Sequence, residues 1–230
     1  MKAQRLRVTF ARGEAMKYIT HLDMMRFWER ALRRAGVPIA YSEGFSPHAQ
    51  LSLAAPLPVG TTSEAELMDV FMAEHVAPRA LIRQVTPQLP PAIEIKSVEE
   101  VGLSLPALQA DVRFAEYDVD LAAAGAADAE SAVERFLAAE SVPWEHKRDE
   151  EVRAYDIRPQ VDAIEVAQPD PAVVRLRMRL RNDNSGSGRP EQVVAALGLP
   201  SPLRIHRTRL TLAGVSPARE AWRKRGRFAG

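Results

Sequence analysis

"THLDMMRFWERALRRAGVPIAYSEGFSPHAQLSLA", Thr20 to Ala54, reads as one helix followed by two extended pieces around a stiff turn. Thr20-His21-Leu22-Asp23 has the T-x-x-D spacing of a helix N-terminus, with the Thr20 hydroxyl facing a first-turn amide and Asp23 at the positive helix end. At 100° per residue, Met24, Phe27, Trp28, Ala31, Leu32 and Ala35 share one face and predict a core stripe. Arg26, Arg30 and Arg33 fall on the opposite face, with Asp23 placed to pair with Arg26. Gly36 and Pro38 stop the helix. Ile39–Ser42 and Gln50–Ala54 are extended on either side of the Ser42-Glu43-Gly44-Phe45-Ser46-Pro47-His48 turn.

A strand precedes this segment at Leu6–Phe10, and a strand, a helix and a strand follow at Glu64–Ala73, Pro78–Gln88 and Ile93–Val98. The order is β-α-β-β-α-β, the ferredoxin-like pattern. It returns, with one strand more, as strand Val112–Leu121, helix Asp128–Ala139, strands Val142–Arg148 and Ile164–Gln168, strand Val173–Arg181, helix Pro190–Leu197 and strand Leu203–Leu212. The expected class is therefore α+β, with two tandem ferredoxin-like units at 1–102 and 110–214 and a basic tail at 215–230. Leu6–Val98 and Val112–Leu212 are each expected to form an antiparallel sheet of their own, backed by two helices.

The 230 residues are 46% hydrophobic and 27% charged, a composition with enough apolar chain for a sizeable core. No apolar run of about 18 residues occurs, so no membrane span is expected, and the N-terminus lacks a signal-peptide core. The absence of cysteine excludes disulfides, thiolate catalysis, Cys-ligated zinc and iron–sulfur clusters. A cytoplasmic location, no metal and no cofactor are the expectations.

Net charge is +1, yet Val173–Gly230 holds thirteen bases against three acids and stands at +10, leaving −9 for the rest. Such a basic segment draws polyanions and makes their binding salt-sensitive. Arg175, Arg177, Arg179 and Arg181 alternate with Val174, Leu176, Met178 and Leu180, so four guanidinium groups lie on one strand face about 6.6 Å apart. That interval suits backbone tracking along a nucleic acid, with Arg207 or Arg209 of the closing strand extending the face. Acidic neighbours such as Glu165 would instead neutralise it. Arg189 follows a Gly-rich loop, Asn182–Gly188, whose free amides would suit an anion.

His21 and His48 are the candidate catalytic groups. Capping leaves His21 unexplained, and His48 closes a loop stiffened by Pro47. Phe45 reads as a core anchor or, with His48, as a base-stacking platform. The two histidines are expected to share one exposed cleft. An RNA-binding protein, a metal-independent endoribonuclease using His21 or His48 as general acid or base, and a protein-interaction module all fit these features.

Thr20–Asp23, Glu29–Gly36, Tyr41–His48, Pro58-Val59-Gly60, Asp156–Pro159 and Arg189-Pro190-Glu191 resemble the radical-SAM-linked protein family, a bacterial domain of unknown function. The resemblance covers roughly Arg5 to Thr211 and is most specific at Tyr41–His48. Members more often carry Ser at position 20 and Asn at position 46, where this chain has Thr20 and Ser46. Members are typically encoded beside, or fused to, a radical-SAM protein, often near a ribonuclease of the E/G type. The resemblance thus implies a radical-SAM protein as partner and an RNA or ribonucleoprotein as target, and it carries over no catalytic residue. The doubled ferredoxin-like order with a basic groove is similar, more weakly, to CRISPR repeat-processing endoribonucleases.

Overall fold

The computed structural model describes residues 2–148, 151–183 and 185–213. The basic tail expected at 215–230 lies outside the described residues. The first half contains β1 (Gln4–Arg12), α1 (His21–Arg34), β2 (Leu51–Leu53), β3 (Thr62–Met72), α2 (Pro78–Val85) and β4 (Ile93–Val101). After the short α3 (Leu108–Asp111), the second half contains β5 (Val112–Ala122), α4 (Ala129–Ala138), β6 (Pro143–Arg148), β7 (Glu151–Asp156), β8 (Val161–Asp170), β9 (Val173–Asp183), β10 (Gly186–Ser187), α5 (Pro190–Ala196) and β11 (Arg204–Leu212). The protein is an α+β fold dominated by sheet.

The two halves do not make separate sheets. Nine strands form one sheet in the order β10-β9-β5-β11-β3-β1-β4, with β8 beside β9 and β2 beside β3. The halves join where β11 runs parallel to the start of β3, pairing His206 with Thr62 and Arg207 with Ser63. Every other strand pairing among the described residues is antiparallel. The expectation of two independent sheets is thereby corrected. The physical reason is an edge: β2 is only three residues long and covers β3 from Met68 to Val70, so the start of β3 offers unpaired backbone groups that β11 takes up.

The piece between the strands expected at Val142–Arg148 and Ile164–Gln168 carries a strand of its own. β7 pairs back on β6 as a two-stranded hairpin outside the main sheet. Asp156 anchors it, accepting from the backbone N–H of Val142 at 2.8 Å and of Arg158 at 2.9 Å. Arg158 donates to the carbonyls of Val161 and Leu137, at 2.8 and 3.1 Å, and Ile157 is buried. Asp156-Ile157-Arg158-Pro159 is therefore a structural clasp between the hairpin, α4 and β8.

Two apolar clusters fill the helix-covered face. In the first half Leu6, Val8 and Phe10 of β1 meet Met68, Val70 and Met72 of β3 under Met24, Trp28 and Leu32 of α1. Phe10 and Trp28 meet edge to face at 4.8 Å. In the second half Tyr117, Val119 and Leu121 of β5 and Leu176, Met178 and Leu180 of β9 pack under Val133 and Phe136 of α4 and Val193 and Val194 of α5. α1 begins as its sequence requires, with Thr20 Oγ1 accepting from the Asp23 N–H and donating to the Asp23 carboxylate at 2.7 Å.

Candidate functional site

The strand periodicity that buries Leu6, Val8 and Phe10 also turns Arg12 inward, and the one that buries Met68 and Val70 turns Glu66 inward. At the seam these side chains meet two from the second half. Arg207 is fully buried and donates to Glu66 through Nε, at 2.9 Å, and through Nη2. Its remaining N–H groups reach the carbonyls of Pro56 and Ala55, both at 3.2 Å, and Tyr117 is its register partner. Burial alone would make the guanidinium easier to deprotonate, but Glu66 and Tyr117 hold its pKa above the ordinary value. Arg12, also buried, donates to the carbonyls of Met16, Lys17 and Ile19.

His21, the first residue of α1, stands at the rim of this row. Together with Phe10, Arg12, Met24 and Glu66 it lines a cavity of about 10 Å³, room for about one water. Burial, aided by the charges of Arg12 and Arg207, pushes its pKa down, so the imidazole is neutral near pH 7. The row is a charge network that ties the halves together. Arg207, expected on an exposed basic face, is withdrawn from that face by its ion pair with Glu66.

His48 is elsewhere. Its loop is closed by the Ser42 N–H to His48 carbonyl bond and the His48 N–H to Ser42 Oγ bond, each 2.9 Å. The loop abuts the far end of β3, where Phe71 N–H donates to the Gln50 carbonyl. Phe71 is five residues from Glu66, about 17 Å along the strand. The expected shared cleft of His21 and His48 is thus not assembled. Phe45 is fully exposed, not tucked into the core, and Tyr41 and His48 are exposed on the same loop. On α1, Arg26, Arg30 and Arg33 are all exposed; Arg26 lies 3.3 Å from Asp23, and Arg30 and Arg33 have no ion-pair partner among the described residues.

The arginine ladder runs between carboxylates on both neighbouring strands, and two of its members are held by them. β5 places Asp120, Asp118 and Glu116 opposite Arg175, Arg177 and Arg179, and β8 places Glu165 opposite Arg177. Arg175 is bidentate to Asp120, at 2.6 and 3.0 Å, and lies 3.4 Å from Asp118. Arg179 is buried, stacked 4.2 Å over the Phe114 ring and 3.5 Å from Asp162. Arg181 donates to Ser185 Oγ, and Arg209, half-buried, stands opposite Glu116. The expectation of a free guanidinium row is corrected at Arg175 and Arg179, because alternation puts carboxylates on the same face of the neighbouring strands; Arg177 has no ion pair among the described residues and Arg181 meets only Ser185. Arg204 and His206 continue these rows on β11. His206 Nδ1 lies 2.7 Å from Thr62 Oγ1, and burial followed by the charge of Arg204 lowers its pKa.

Arg189 is exposed at the start of α5, as a free anion contact would need. The Gly-rich loop before it is a hairpin instead of an open cradle: Gly186 and Ser187 pair with Asp183 and Asn182, and the Gly188 N–H donates to the Arg181 carbonyl at 2.9 Å.

Sequence alternation alone could have identified Arg12 and Glu66 as inward-facing charges. His206 carried no such signal, since its setting depends on a pairing between residues 144 positions apart.

The bacterial family described as an uncharacterized protein conserved in bacteria, DUF2344, matches residues 5–190. The chain belongs to this family. No curated protein matches it. Among solved structures, a Cbf5-Nop10-Gar1 complex is similar at 10% identity and a TM-score of 0.47, over 90% of this chain and 48% of that one. The chain thus spans about half the length of that structure's matched chain. Among the described residues, no helix is long and apolar enough to cross a membrane.

Proposed function

We propose that this protein is an RNA-binding accessory partner of a radical-SAM enzyme, and that it meets RNA through the outer face of α1 and the Tyr41–His48 loop. The observation that carries the reading is Phe45, held wholly in solvent on a loop pinned by two hydrogen bonds. An aromatic side chain presented to solvent on a closed loop is a surface on which single-stranded bases stack. Arg30 and Arg33 supply phosphate contacts, whereas Arg175 is held by Asp120 and Arg179 is buried beside Asp162. The radical-SAM partner rests on the resemblance of Tyr41–His48 and its companion motifs to the radical-SAM-linked family. We also read the halves as tandem ferredoxin-like units in a cytoplasmic protein. Supporting the unit reading are the spatial orders β4-β1-β3-β2 and β11-β5-β9-β8, each the order of that fold.

A second reading, docking on a protein, is favoured by Tyr18, Leu22 and Val59, which are exposed near the start of α1.

Fluorescence anisotropy with a random single-stranded RNA, over a range of salt, tests the first reading. Phe45→Ala should weaken binding by about 1–3 kcal/mol per lost stack. Arg30→Gln with Arg33→Gln should flatten the log–log salt slope by about 1.4, at about 0.7 per phosphate contact. Arg175→Gln, which removes a guanidinium already held by Asp120, should leave the slope unchanged. No saturable binding would end the RNA reading. Co-purification with a co-expressed radical-SAM protein encoded beside it tests the partner.

A further inference from the structure

On the face of the sheet away from the helices, the seam opens into a pocket of about 180 Å³. Its polar walls are Glu64 of β3, Glu116 and Asp118 of β5, Arg177 of β9 and Thr208 of β11. Three carboxylates face one guanidinium, so the pocket is acidic in a chain whose net charge is +1. Glu116 sets it apart from an ordinary acidic surface. It is 5% exposed, yet no ion pair or hydrogen bond engages its side chain among the described residues. Its two cross-strand neighbours do not serve it. Arg179 is turned to Asp162 and stacked on Phe114, and Arg209 makes no ion pair with it among the described residues. A largely buried carboxylate that meets solvent only through the pocket and has no partner is poorly solvated, and a cation from outside relieves that cost.

We propose that this pocket binds the guanidinium group of an arginine side chain. Among the described residues, no group of three or more His, Cys, Asp or Glu side chains is placed to hold a metal ion, so the carboxylates are too dispersed for metal ligation. Glu116 and Asp118 stand two residues apart on one face, about 6.6–6.8 Å. A planar group with five N–H donors spans that interval, which a compact ammonium does not. The pocket has the volume for a single long side chain.

Two sources offer that chemistry: another molecule, or this chain's own C-terminal segment. The segment carries Arg219, Arg223, Lys224, Arg225 and Arg227 and follows Ala213, whose N–H donates to the Asp111 carbonyl. Thr208 in the pocket is five residues before Ala213, about 17 Å, well within reach of the chain that follows.

The test is calorimetric titration of the full chain with an acetylated, amidated Gly-Arg-Gly peptide, with the citrulline and lysine peptides as controls. In a variant with all five of those tail bases changed to Gln, the arginine peptide should bind saturably, the lysine peptide at least tenfold more weakly, and the citrulline peptide not at all. Adding Glu116→Gln should lower arginine affinity at least tenfold, as should Asp118→Asn, whereas Glu134→Gln on α4 should change nothing. Weaker binding by the parent chain than by the tail variant assigns the site to the chain's own tail, and equal binding assigns it to another molecule. The Glu116→Gln protein should melt no lower than its parent, because it loses an unpaired buried charge. Absence of saturable binding in the tail variant, citrulline binding as tight as arginine, or a Glu116→Gln melting point several degrees down would each overturn the proposal.

Discussion

Glu66 of β3 accepts two N–H groups of Arg207 across the seam, joining residues 141 positions apart at the one parallel pairing among the described strands. The side chains are sealed beneath the loop at Ala55 and Pro56, whose carbonyls take the other guanidinium N–H groups. The sheet is continuous because this pair is satisfied on both sides.

Removing one partner leaves a buried charge alone. Arg207→Ala and Glu66→Ala should each destabilise the protein by about 3–5 kcal/mol, measured by urea unfolding. Arg207→Met combined with Glu66→Leu should recover much of that loss, since an apolar pair of similar volume carries no desolvation penalty. A double variant as unstable as the sum of the singles would show that the bonds to Ala55 and Pro56, and not the ion pair, hold the seam.

Trp28 and His48 should behave oppositely. Trp28→Ala opens the core beneath α1 and should cost about 3–5 kcal/mol in chemical denaturation. His48→Ala, on an exposed loop, should stay within about 0.5 kcal/mol of the parent.

Stability should fall as the solution is acidified through the histidine range. His21 and His206 both have pKa values lowered by burial, so the unfolded chain binds more protons than the folded one below about pH 6.5. The slope of unfolding free energy against pH is then positive: the contribution is complete above the unfolded pKa and is lost as pH drops through the folded values. His206→Asn should reduce that slope below about pH 6.5, read from melts in matched buffers. An unaltered slope would place the proton uptake elsewhere.

Gly188 is enclosed. A Cβ there would meet the Gln160 carbonyl oxygen and Leu180 Cβ, each at 3.0 Å, so Gly188→Ala should cost about 1–3 kcal/mol of overpacking. Gly186→Ala presses only on the end of the Gln160 side chain, which can swing away. Thermal melts of the two variants should rank them in that order.

Local signals were legible in the sequence. Thr20, Gly36 and Pro38 marked the ends of α1, period-two alternation marked β3, β5 and β9, and the apolar stripe of α1 placed Met24, Trp28 and Leu32 in the core. Those features depend on contacts within a few residues, where propensity, capping and periodicity act. The hairpin β6–β7 was not legible, because it brings Asp156 back to Val142, a contact between residues 14 positions apart that no local spacing announces.

What the sequence by itself determined is the order of elements and which face of each strand is apolar. Only the tertiary structure decided which charges meet. Arg175, Arg177, Arg179 and Arg181 lie on one strand face by alternation alone, yet their freedom depends on β5, whose Asp120, Asp118 and Glu116 arrive in register beside them. Arg207 looked like one more basic strand residue until β11 paired with β3 and buried it against Glu66. Register and burial between distant segments set the electrostatic energy of each group, and neither quantity is encoded in local spacing.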